Sequence, residues 1–250
     1  MSNNVGNNNP ETNPQDNSRR QFIGWGAAVT GLAIAPGISL FDLAHGRPPE
    51  EAASSKVRWG MLIDSTKCAT GCDDCVSACG KENGFSGNNP TDSQWIRKVE
   101  IKDLRTAQSH SLPMMCQHCE NPPCVDVCPT GASFKRDDGI VLVDRHICIG
   151  CRYCMMACPY KARSFVHEEL HDQNPDVPRG KGCVESCTLC VQRIDKDLEP
   201  ACVEACSHKA MLFGDLNDPN SEISKQIAST MTTQVRADLA LNVGIRYQGI

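Results

Sequence analysis

The pattern of apolar and polar residues divides the chain into a polar start, one apolar run and a long mixed body. Residues 1–17 are polar and rich in asparagine, a composition typical of disorder. Residues 22–40 form an apolar run rich in Gly and Ala. Beyond that run, apolar residues occur only in short stretches, so we predict that the body itself does not span a membrane.

Short apolar stretches in the body predict strands. Trp59–Ile63 and Ile140–Val143 each read as a short buried strand. Ser133–Arg136 precedes the second of these, and the intervening Asp137-Asp138-Gly139 favours a hairpin turn. We therefore expect an antiparallel hairpin in the middle of the chain.

The remaining body is predicted from weaker patterns. Residues 84–112 form a connecting insertion with strand character at Trp95–Ile101, and the Pro- and Gly-containing segment 167–182 reads as a loop. In the C-terminal segment 216–250 we expect a helix from Ser221 to about Thr233, followed by an extended arm.

The N-terminal segment, 1–50, contains a predicted targeting signal. Arg19 and Arg20 stand directly before the apolar run and resemble a twin-arginine export signal, which implies a folded protein delivered to the periplasm. The alternative is an anchor, because the run is nearly long enough to cross a bilayer and an uncleaved signal holds its protein at the membrane. Both readings place the protein in, or facing, the periplasm, peripheral to or anchored at the inner membrane.

Composition changes the picture in two ways. Aromatic residues make up only 5% of the chain, while cysteine occurs 17 times, so cysteine chemistry is the expected source of order. The formal net charge is −5, which gives no electrostatic footprint for nucleic acid and fits an acidic body that meets a protein partner.

Sixteen of the cysteines fall into four groups of four, at 68–79, 116–128, 148–158 and 187–206. The third group, CIGCRYCMMACP, matches the bacterial ferredoxin run C-x2-C-x2-C-x3-C-P. The first has an additional residue before Cys72, where Gly71 supplies a residue that tolerates positive φ. All four groups end in C-x3-C, which puts the last two cysteines on one face of a short helix.

Disulfides, zinc and iron–sulfur clusters are the three chemistries open to these groups. Export favours disulfides, and paired C-x2-C units bind structural zinc. A structural zinc site does not require four C-x3-C endings. In two-cluster ferredoxins, by contrast, the fourth cysteine of each group binds the other cluster. The spacing therefore favours iron–sulfur clusters.

A repeat surrounds the groups. Alanine follows the last cysteine by four residues in three groups (Ala132, Ala162 and Ala210), and Asp64 and Asp144 precede the first cysteine by four in two groups. The unit reads strand, cluster loop, short helix, small residue, strand. We predict an α+β fold of two double-cluster modules, with small antiparallel sheets and short helices, followed by a C-terminal helix and arm.

The four groups behind a twin-arginine signal resemble the four-cluster electron-transfer subunits of respiratory membrane oxidoreductases, the family that includes the iron–sulfur subunit of dimethyl-sulfoxide reductase. The similarity covers about 57–215. Within that family, CENPPC and the run at 131–165 are most similar to periplasmic iron–sulfur subunits of sulfite-reductase-associated membrane complexes. The resemblance implies an inner module at about 112–166 and an outer module at 57–85 with 181–215.

The resemblance also implies four [4Fe-4S] clusters with nested sharing of ligands. The inner pair of ligand sets would be Cys116, Cys119, Cys124 with Cys158, and Cys148, Cys151, Cys154 with Cys128. The outer pair would be Cys68, Cys72, Cys75 with Cys206, and Cys187, Cys190, Cys202 with Cys79.

Several further residues near the groups carry expectations. Eight basic residues near the ligands are either counter-charges for the clusters or ordinary surface: Lys135, Arg136, Arg145, Arg152, Lys161, Arg163, Arg193 and Lys209. His118 is expected to pack or hydrogen-bond rather than to bind metal. Cys183 is expected to be a buried non-ligand; the alternative is that it replaces Cys187 as a ligand.

We find no other pattern typical of catalysis, so the sequence predicts an electron-transfer subunit without a catalytic site of its own. Its expected partners are a quinone-reactive integral membrane subunit, a multiheme cytochrome c and other subunits of a complex that links the quinone pool to dissimilatory sulfur metabolism. Two alternatives stay open. One is the iron–sulfur subunit of a molybdopterin reductase acting on tetrathionate, polysulfide or a sulfoxide, and the other is a zinc-binding structural or interaction protein.

Overall fold

The computed structural model describes residues 53–85, 91–102, 104–105, 107, 109–171 and 173–250. The polar start, the twin arginines and the apolar run lie outside the described residues. Within the described part of the chain, no helix is both long enough and apolar enough to cross a membrane.

Short elements alternate along the described residues, as expected for an α+β chain. The strands are β1 (Trp59–Asp64), β2 (Arg97–Lys102), β3 (Ser109–Met114), β4 (Ser133–Lys135), β5 (Val141–Val143), β6 (Arg163–Phe165), β7 (Val184–Ser186), β8 (Met211–Asp215), β9 (Thr232–Thr233) and β10 (Ile245–Gln248). The helices are α1 (Asp74–Asn83), α2 (Pro123–Asp126), α3 (Tyr153–Ala157), α4 (Val191–Ile194), α5 (Ala201–Glu204), α6 (Glu222–Ser229) and a 3-10 turn at Ala237–Leu239.

The largest sheet has the strand order β8–β1–β10–β9. Its central strand, β1, pairs antiparallel with β8 and parallel with β10, so that Met61 lies between Phe213 and Ile245. Met61 and Ile245 are fully buried, and Trp59 stacks on Phe213 with ring centroids 5.1 Å apart. This sheet therefore joins the first cysteine group, which follows β1, to the fourth, which precedes β8.

The C-terminal segment differs from its prediction in two respects. The helix begins as expected, with the Ser221 hydroxyl capping the amide of Ser224, but it ends at Ser229 rather than near Thr233. The backbone turns extended at Thr230, ahead of two β-branched residues that form β9. The segment beyond β9 is not a free arm, because β10 enters the main sheet and Tyr247 is fully buried there.

The central hairpin is confirmed. β4 and β5 pair antiparallel, with Phe134 opposite Leu142, and the Arg136 amide and carbonyl close the turn. Gly139 occupies it at φ 88°, a value that a residue with a side chain rarely adopts.

The insertion after the first group forms a second antiparallel hairpin of β2 and β3. Its first strand begins at Arg97, two residues later than predicted, because Trp95 turns inward and is almost fully buried beside Phe85. The predicted loop at 167–182 contains no helix or strand among its described residues.

Cysteines supply much of the interior. Nine of the sixteen grouped cysteines are buried, namely Cys75, Cys79, Cys116, Cys119, Cys124, Cys154, Cys187, Cys190 and Cys202. All of these except Cys190 pack with strand side chains, in the main hydrophobic core or in a smaller cluster around Val141 and Val184. In a chain poor in aromatics, cysteine side chains thus take up much of the space in the core.

Candidate metal centres

The last cysteine of each group sits in a recurring hydrogen-bond arrangement. The sulfur of Cys158 accepts from the amide of Ala162 at 3.5 Å, and the sulfur of Cys206 accepts from the amide of Ala210 at 3.3 Å. The alanine that recurs four residues after these groups is therefore the residue whose amide turns back onto the sulfur. Amide donors of this kind stabilise the thiolate form of a cysteine.

The other two groups reach the same result with different donors. Cys128 accepts from the Ser133 amide at 3.4 Å, one residue beyond the recurring alanine. In the first group the equivalent position is Asn83, whose side-chain amide lies 3.5 Å from the sulfur of Cys79.

The repeat also fixes which groups are neighbours. The carbonyl of Ala132, after the second group, accepts from the amide of Asp144, before the third, at 2.7 Å. The carbonyl of Ala210, after the fourth group, accepts from the amide of Asp64, before the first, at 2.8 Å. The inner groups are thus tied to each other, and so are the outer groups.

Four cysteines from the two inner groups line one small cavity: Cys116, Cys119, Cys124 and Cys158. The first three follow β3 and enter α2, whereas Cys158 ends α3 some 30 residues later. Burial, and then the charge of neighbouring thiolates, raises the pKa of both Cys116 and Cys119 to about 12. Such thiols are neutral at pH 7 unless a bound cation stabilises the thiolates.

The first group lies with the last cysteine of the fourth. Burial raises the pKa of Cys75 to about 11; the charge of Lys98 opposes this, and the charges of Cys68, Cys206 and Cys72 add to it. These four thiols are therefore within electrostatic range of one another.

The fourth group lies with the last cysteine of the first. Burial, followed by the charges of Cys190 and Cys202, raises the pKa of Cys79 well above that of a free thiol. Burial raises the pKa of Cys187 in the same way, and the charges of Cys79, Cys202 and Cys190 add to the effect. A weaker contribution to Cys187 comes from Cys116, which belongs to the cavity of the inner groups.

The remaining grouped thiols are Cys128, Cys148, Cys151 and Cys154. Cys148 and Cys154 pack in the smaller hydrophobic cluster, and the charge of Cys154 acts on Cys124 of the inner cavity. Cys151 is exposed. Burial raises the pKa of Cys128, but hydrogen bonds from Ser133 and Thr130 outweigh it and lower that pKa to about 7.

Four thiols drawn from two groups around one cavity are the donor set that a four-iron cluster takes. In the part of the chain that the structure describes, no three His, Cys, Asp or Glu side chains come close enough together to hold a single metal ion. A single zinc ion at 2.3 Å from each sulfur would bring its thiolates to within about 4 Å of one another. In a four-iron cluster each thiolate binds a different iron, so the sulfurs stand further apart.

Of the eight basic residues near the groups, Arg163 donates to a cysteine sulfur among the described hydrogen bonds, with Nη2 3.1 Å from Cys124 Sγ. Several of the others pair elsewhere: Lys135 with Glu120, and Arg136 with Asp138. Lys161 and Lys209 are exposed. Arg163 thus contacts a grouped cysteine, as a counter-charge would, whereas Lys135 and Arg136 pair with carboxylates.

A basic residue outside the eight predicted from the sequence, Lys98, contacts the first group. Lys98 Nζ lies 2.9 Å from Cys68 Sγ and 3.4 Å from the carbonyl of Ala69. It stands on β2, thirty residues away along the chain, and only the β2–β3 hairpin brings it to the cysteines. No local spacing signals this contact.

His118 takes the hydrogen-bonding role predicted for it. Its Nδ1 accepts from the amide of Val141 at 3.0 Å, which places the proton of the neutral ring on Nε2. Burial, with the charge of Arg163, lowers its pKa to about 3, so the ring is neutral at pH 7.

Cys183 stands apart from the fourth ligand set. Its thiol is buried and donates to the carbonyl of Arg145 at 3.2 Å, while Cys187 lies among the thiols of its own group. This placement agrees with the prediction that Cys183 is a buried non-ligand.

Comparison with known proteins bears on the same residues. Residues 107–216 match the family model of the 4Fe-4S dicluster domain. The Hdr-like menaquinol oxidoreductase iron-sulfur subunit 1 of Archaeoglobus fulgidus is 42% identical, over 92% of this chain and 97% of that protein. The B subunit of tetrathionate reductase from Salmonella typhimurium is 38% identical, over 85% of this chain and 79% of that protein. The B subunit of sulfite dehydrogenase from Allochromatium vinosum is 41% identical, over 66% of this chain and 71% of that protein.

The fold and the thiol sets define an iron–sulfur protein that transfers electrons and carries four [4Fe-4S] clusters. The chain belongs to the family of iron–sulfur subunits represented by these menaquinol oxidoreductase, tetrathionate reductase and sulfite dehydrogenase proteins. The family resemblance and the cluster type expected from the cysteine spacing are thus confirmed.

Proposed function

We propose that this protein relays electrons between a quinone-reactive integral membrane subunit and a periplasmic redox partner, such as a multiheme cytochrome c, in dissimilatory sulfur metabolism. The similarity to a menaquinol oxidoreductase subunit along nearly the full chain supports the quinone side. Relatives named for tetrathionate and sulfite support a sulfur compound at the other end of the pathway.

The observation that carries the proposal is the sharing of cysteines between groups. Three thiols of the second group and the last thiol of the third line one cavity, which supports the inner set Cys116, Cys119, Cys124 and Cys158. By the same exchange, the second inner set is Cys128, Cys148, Cys151 and Cys154. The outer sets are Cys68, Cys72, Cys75 with Cys206, and Cys79 with Cys187, Cys190, Cys202; the mutual charge effects of these thiols support both.

Electrostatic proximity supports an order for the relay. The charge of Cys75 in the first outer set contributes to raising the pKa of Cys202 in the second. In the same way, the charge of Cys116 in the first inner set contributes to the raised pKa of Cys187. The charge of Cys154 in the second inner set contributes to the raised pKa of Cys124. The sets thus follow one another as outer, outer, inner, inner, and each bound cluster supplies one reversible electron.

The two ends of this series are the more accessible sets. Cys151 is exposed at the inner end, and Cys68 and Cys72 are partly exposed at the outer end, whereas the thiols of the two middle sets are mostly buried. Burial of the middle sets excludes water and lowers the reorganisation that accompanies each change of charge. Partners that deliver and remove electrons therefore dock at the two ends.

The domain organisation belongs to the same proposal. The four-cluster region is 57–215, with an inner module at about 112–166 and an outer module formed by 57–85 with 181–215. Pairing of β1 with β8 supports the outer module, and pairing of β4 with β5 supports the inner one. The segment 216–250 adds β10 to the sheet of the outer module. Residues 1–50 direct the folded protein to the periplasm through the twin arginines.

A second candidate is the iron–sulfur subunit of a molybdopterin reductase. Its support is the 41% identity to the putative iron-sulfur subunit of dimethyl sulfoxide reductase in Halobacterium salinarum, alongside the tetrathionate reductase relative. The cluster relay is the same in both candidates, and the two differ in the subunit that takes the electrons.

Purification of the native complex tests the proposal. The expected result is a brown complex in which this chain co-elutes with a quinol-oxidising membrane subunit and a cytochrome c, and in which added menaquinol reduces the clusters. Co-elution with a molybdenum-containing subunit instead would favour the second candidate. Exchange of Arg19 and Arg20 for Lys tests export, because the protein should then accumulate in the cytoplasm.

A further inference from the structure

Arg163 is a buried cation without a carboxylate partner among the described residues. It opens β6, is 5% exposed, and forms no ion pair with Asp or Glu in the described part of the chain. By contrast, Arg179, whose side chain is 7% exposed, lies 2.7 Å from Glu185. A lone buried guanidinium is costly unless another negative group compensates it.

The groups near Arg163 that can compensate its charge are thiols of both inner ligand sets, which become thiolates when they bind a cluster. Nη2 donates to Cys124 Sγ at 3.1 Å, in the first inner set. The thiolates that hold its pKa high against burial are those of Cys124, Cys116 and Cys154, and the last of these belongs to the second inner set. Arg163 also lines the cavity of the first inner set.

A hydrogen-bonded bridge continues from Arg163 to the second inner set. Nη1 donates to the hydroxyl of Ser133 at 2.7 Å, and the amide of Ser133 donates to Cys128 Sγ at 3.4 Å. The series Cys124, Arg163, Ser133 and Cys128 thus connects one thiol of each inner set through two residues. Both bridging side chains are buried, with Ser133 at 3% exposure, so water screens their charges and dipoles weakly.

We propose that Arg163 is a shared counter-charge of the two inner ligand sets, which raises the reduction potentials of both inner clusters together. Reduction adds one electron, and so one negative charge, to a ligand set that is already anionic. A fixed positive charge beside that set favours the added electron, and the guanidinium keeps its proton throughout. The proposal rests on the ligand sets proposed above.

Arg163 acts here as a positioning residue, because it touches the ligand sulfurs and not a substrate. A purely structural arginine would stabilise the fold and leave the potentials where they are. A shared counter-charge has a more specific signature, since its loss lowers two potentials out of four.

The test is an EPR-monitored redox titration of the purified native complex with Arg163→Gln. Two of the four midpoint potentials should fall, each by a change of about tenfold in the reduction equilibrium constant, or about 59 mV for a one-electron couple. For the other two couples, the reduction equilibrium constant should change by less than twofold. Cys124→Ser and Cys154→Ser, made separately, assign the two affected signals to the inner sets.

Two further variants separate charge from structure. Arg163→Lys keeps the positive charge without the guanidinium fork and should recover part of the fall in at least one of the two couples. Arg136→Gln removes an arginine that pairs with Asp138 and Asp195 and should leave all four potentials unchanged. If Arg163→Gln shifts neither inner couple, or shifts only one, the shared role is wrong.

A measurement on the unmodified sequence covers the case in which Arg163→Gln fails to retain its inner clusters. Protein labelled with 15N only in the guanidinium nitrogens of arginine should show, by pulsed EPR, a nitrogen coupling in both inner-cluster signals. Absence of that coupling from either signal would overturn the proposal. A complex with fewer than four one-electron couples would instead contradict the proposed relay itself, so the two failures are distinguishable.

Discussion

Lys98 Nζ lies 2.9 Å from Cys68 Sγ, so a cation from the β2–β3 hairpin contacts the outermost cysteine group. Replacing Lys98 with Met removes a positive charge and a hydrogen-bond donor from one ligand set. We expect the reduction potential of a single cluster to fall, by less than the change for Arg163→Gln, because Lys98 is only half-buried and water screens its charge. An EPR-monitored redox titration measures the shift.

The control for Lys98 is Lys98→Arg, which keeps the charge and should keep most of the potential. A fall in two or more potentials in Lys98→Met, or equal falls in Lys98→Met and Lys98→Arg, would contradict a local electrostatic role.

Cys206→Ser tests the nested exchange of ligands at the outer end. If Cys206 completes the set of Cys68, Cys72 and Cys75, the substitution damages the cluster of the first loop and leaves both inner clusters intact. EPR spectra should lose or alter one signal, and iron should fall by at most about four atoms per chain. Damage to an inner signal would show that the outer groups do not exchange their last cysteines.

Cys183→Ser should leave the iron content unchanged. The thiol of Cys183 donates to the carbonyl of Arg145, and a serine hydroxyl can make the same hydrogen bond. The matched variant is Cys187→Ser, which should lose or convert one cluster. Equal iron loss in both variants would make Cys183 a ligand.

The buried C-terminal strand makes a prediction about stability. Ile245→Ala removes a fully buried side chain beside Met61 and should destabilise the fold by about 2–5 kcal/mol. The apparent melting temperature should drop by at least about 4 °C for a domain of this size. Ile250→Ala, at a residue 46% exposed, is the control and should have almost no effect. Equal melting temperatures for the two variants would mean that β10 does not support the sheet.

The cysteine chemistry could be predicted because it depends on short spacings between cysteines along the sequence. A C-x3-C ending fixes two thiols on one helical turn wherever the helix lies, and Asp138-Gly139 encodes its turn within a few residues. The recurring alanines were also visible in the sequence. Their purpose, to turn an amide onto a sulfur, emerged only from the geometry at Cys158 and Cys206.

The features that escaped prediction depend on pairing between distant segments. Met61 and Ile245 are 184 residues apart, and nothing local in IRYQ distinguishes a central strand from an exposed arm. The contact of Lys98 with Cys68 likewise requires a hairpin to fold back. Arg163 was one of eight equivalent basic residues in the sequence, and only burial without a carboxylate singles it out.

The most direct test of the relay is a combined metal analysis and reductive titration of the purified protein. The account predicts about sixteen iron and sixteen sulfide per chain, the value for four [4Fe-4S] clusters, with uptake of about four electrons from dithionite as the brown colour bleaches. Stoichiometric zinc, with no absorbance that dithionite can bleach, would contradict it.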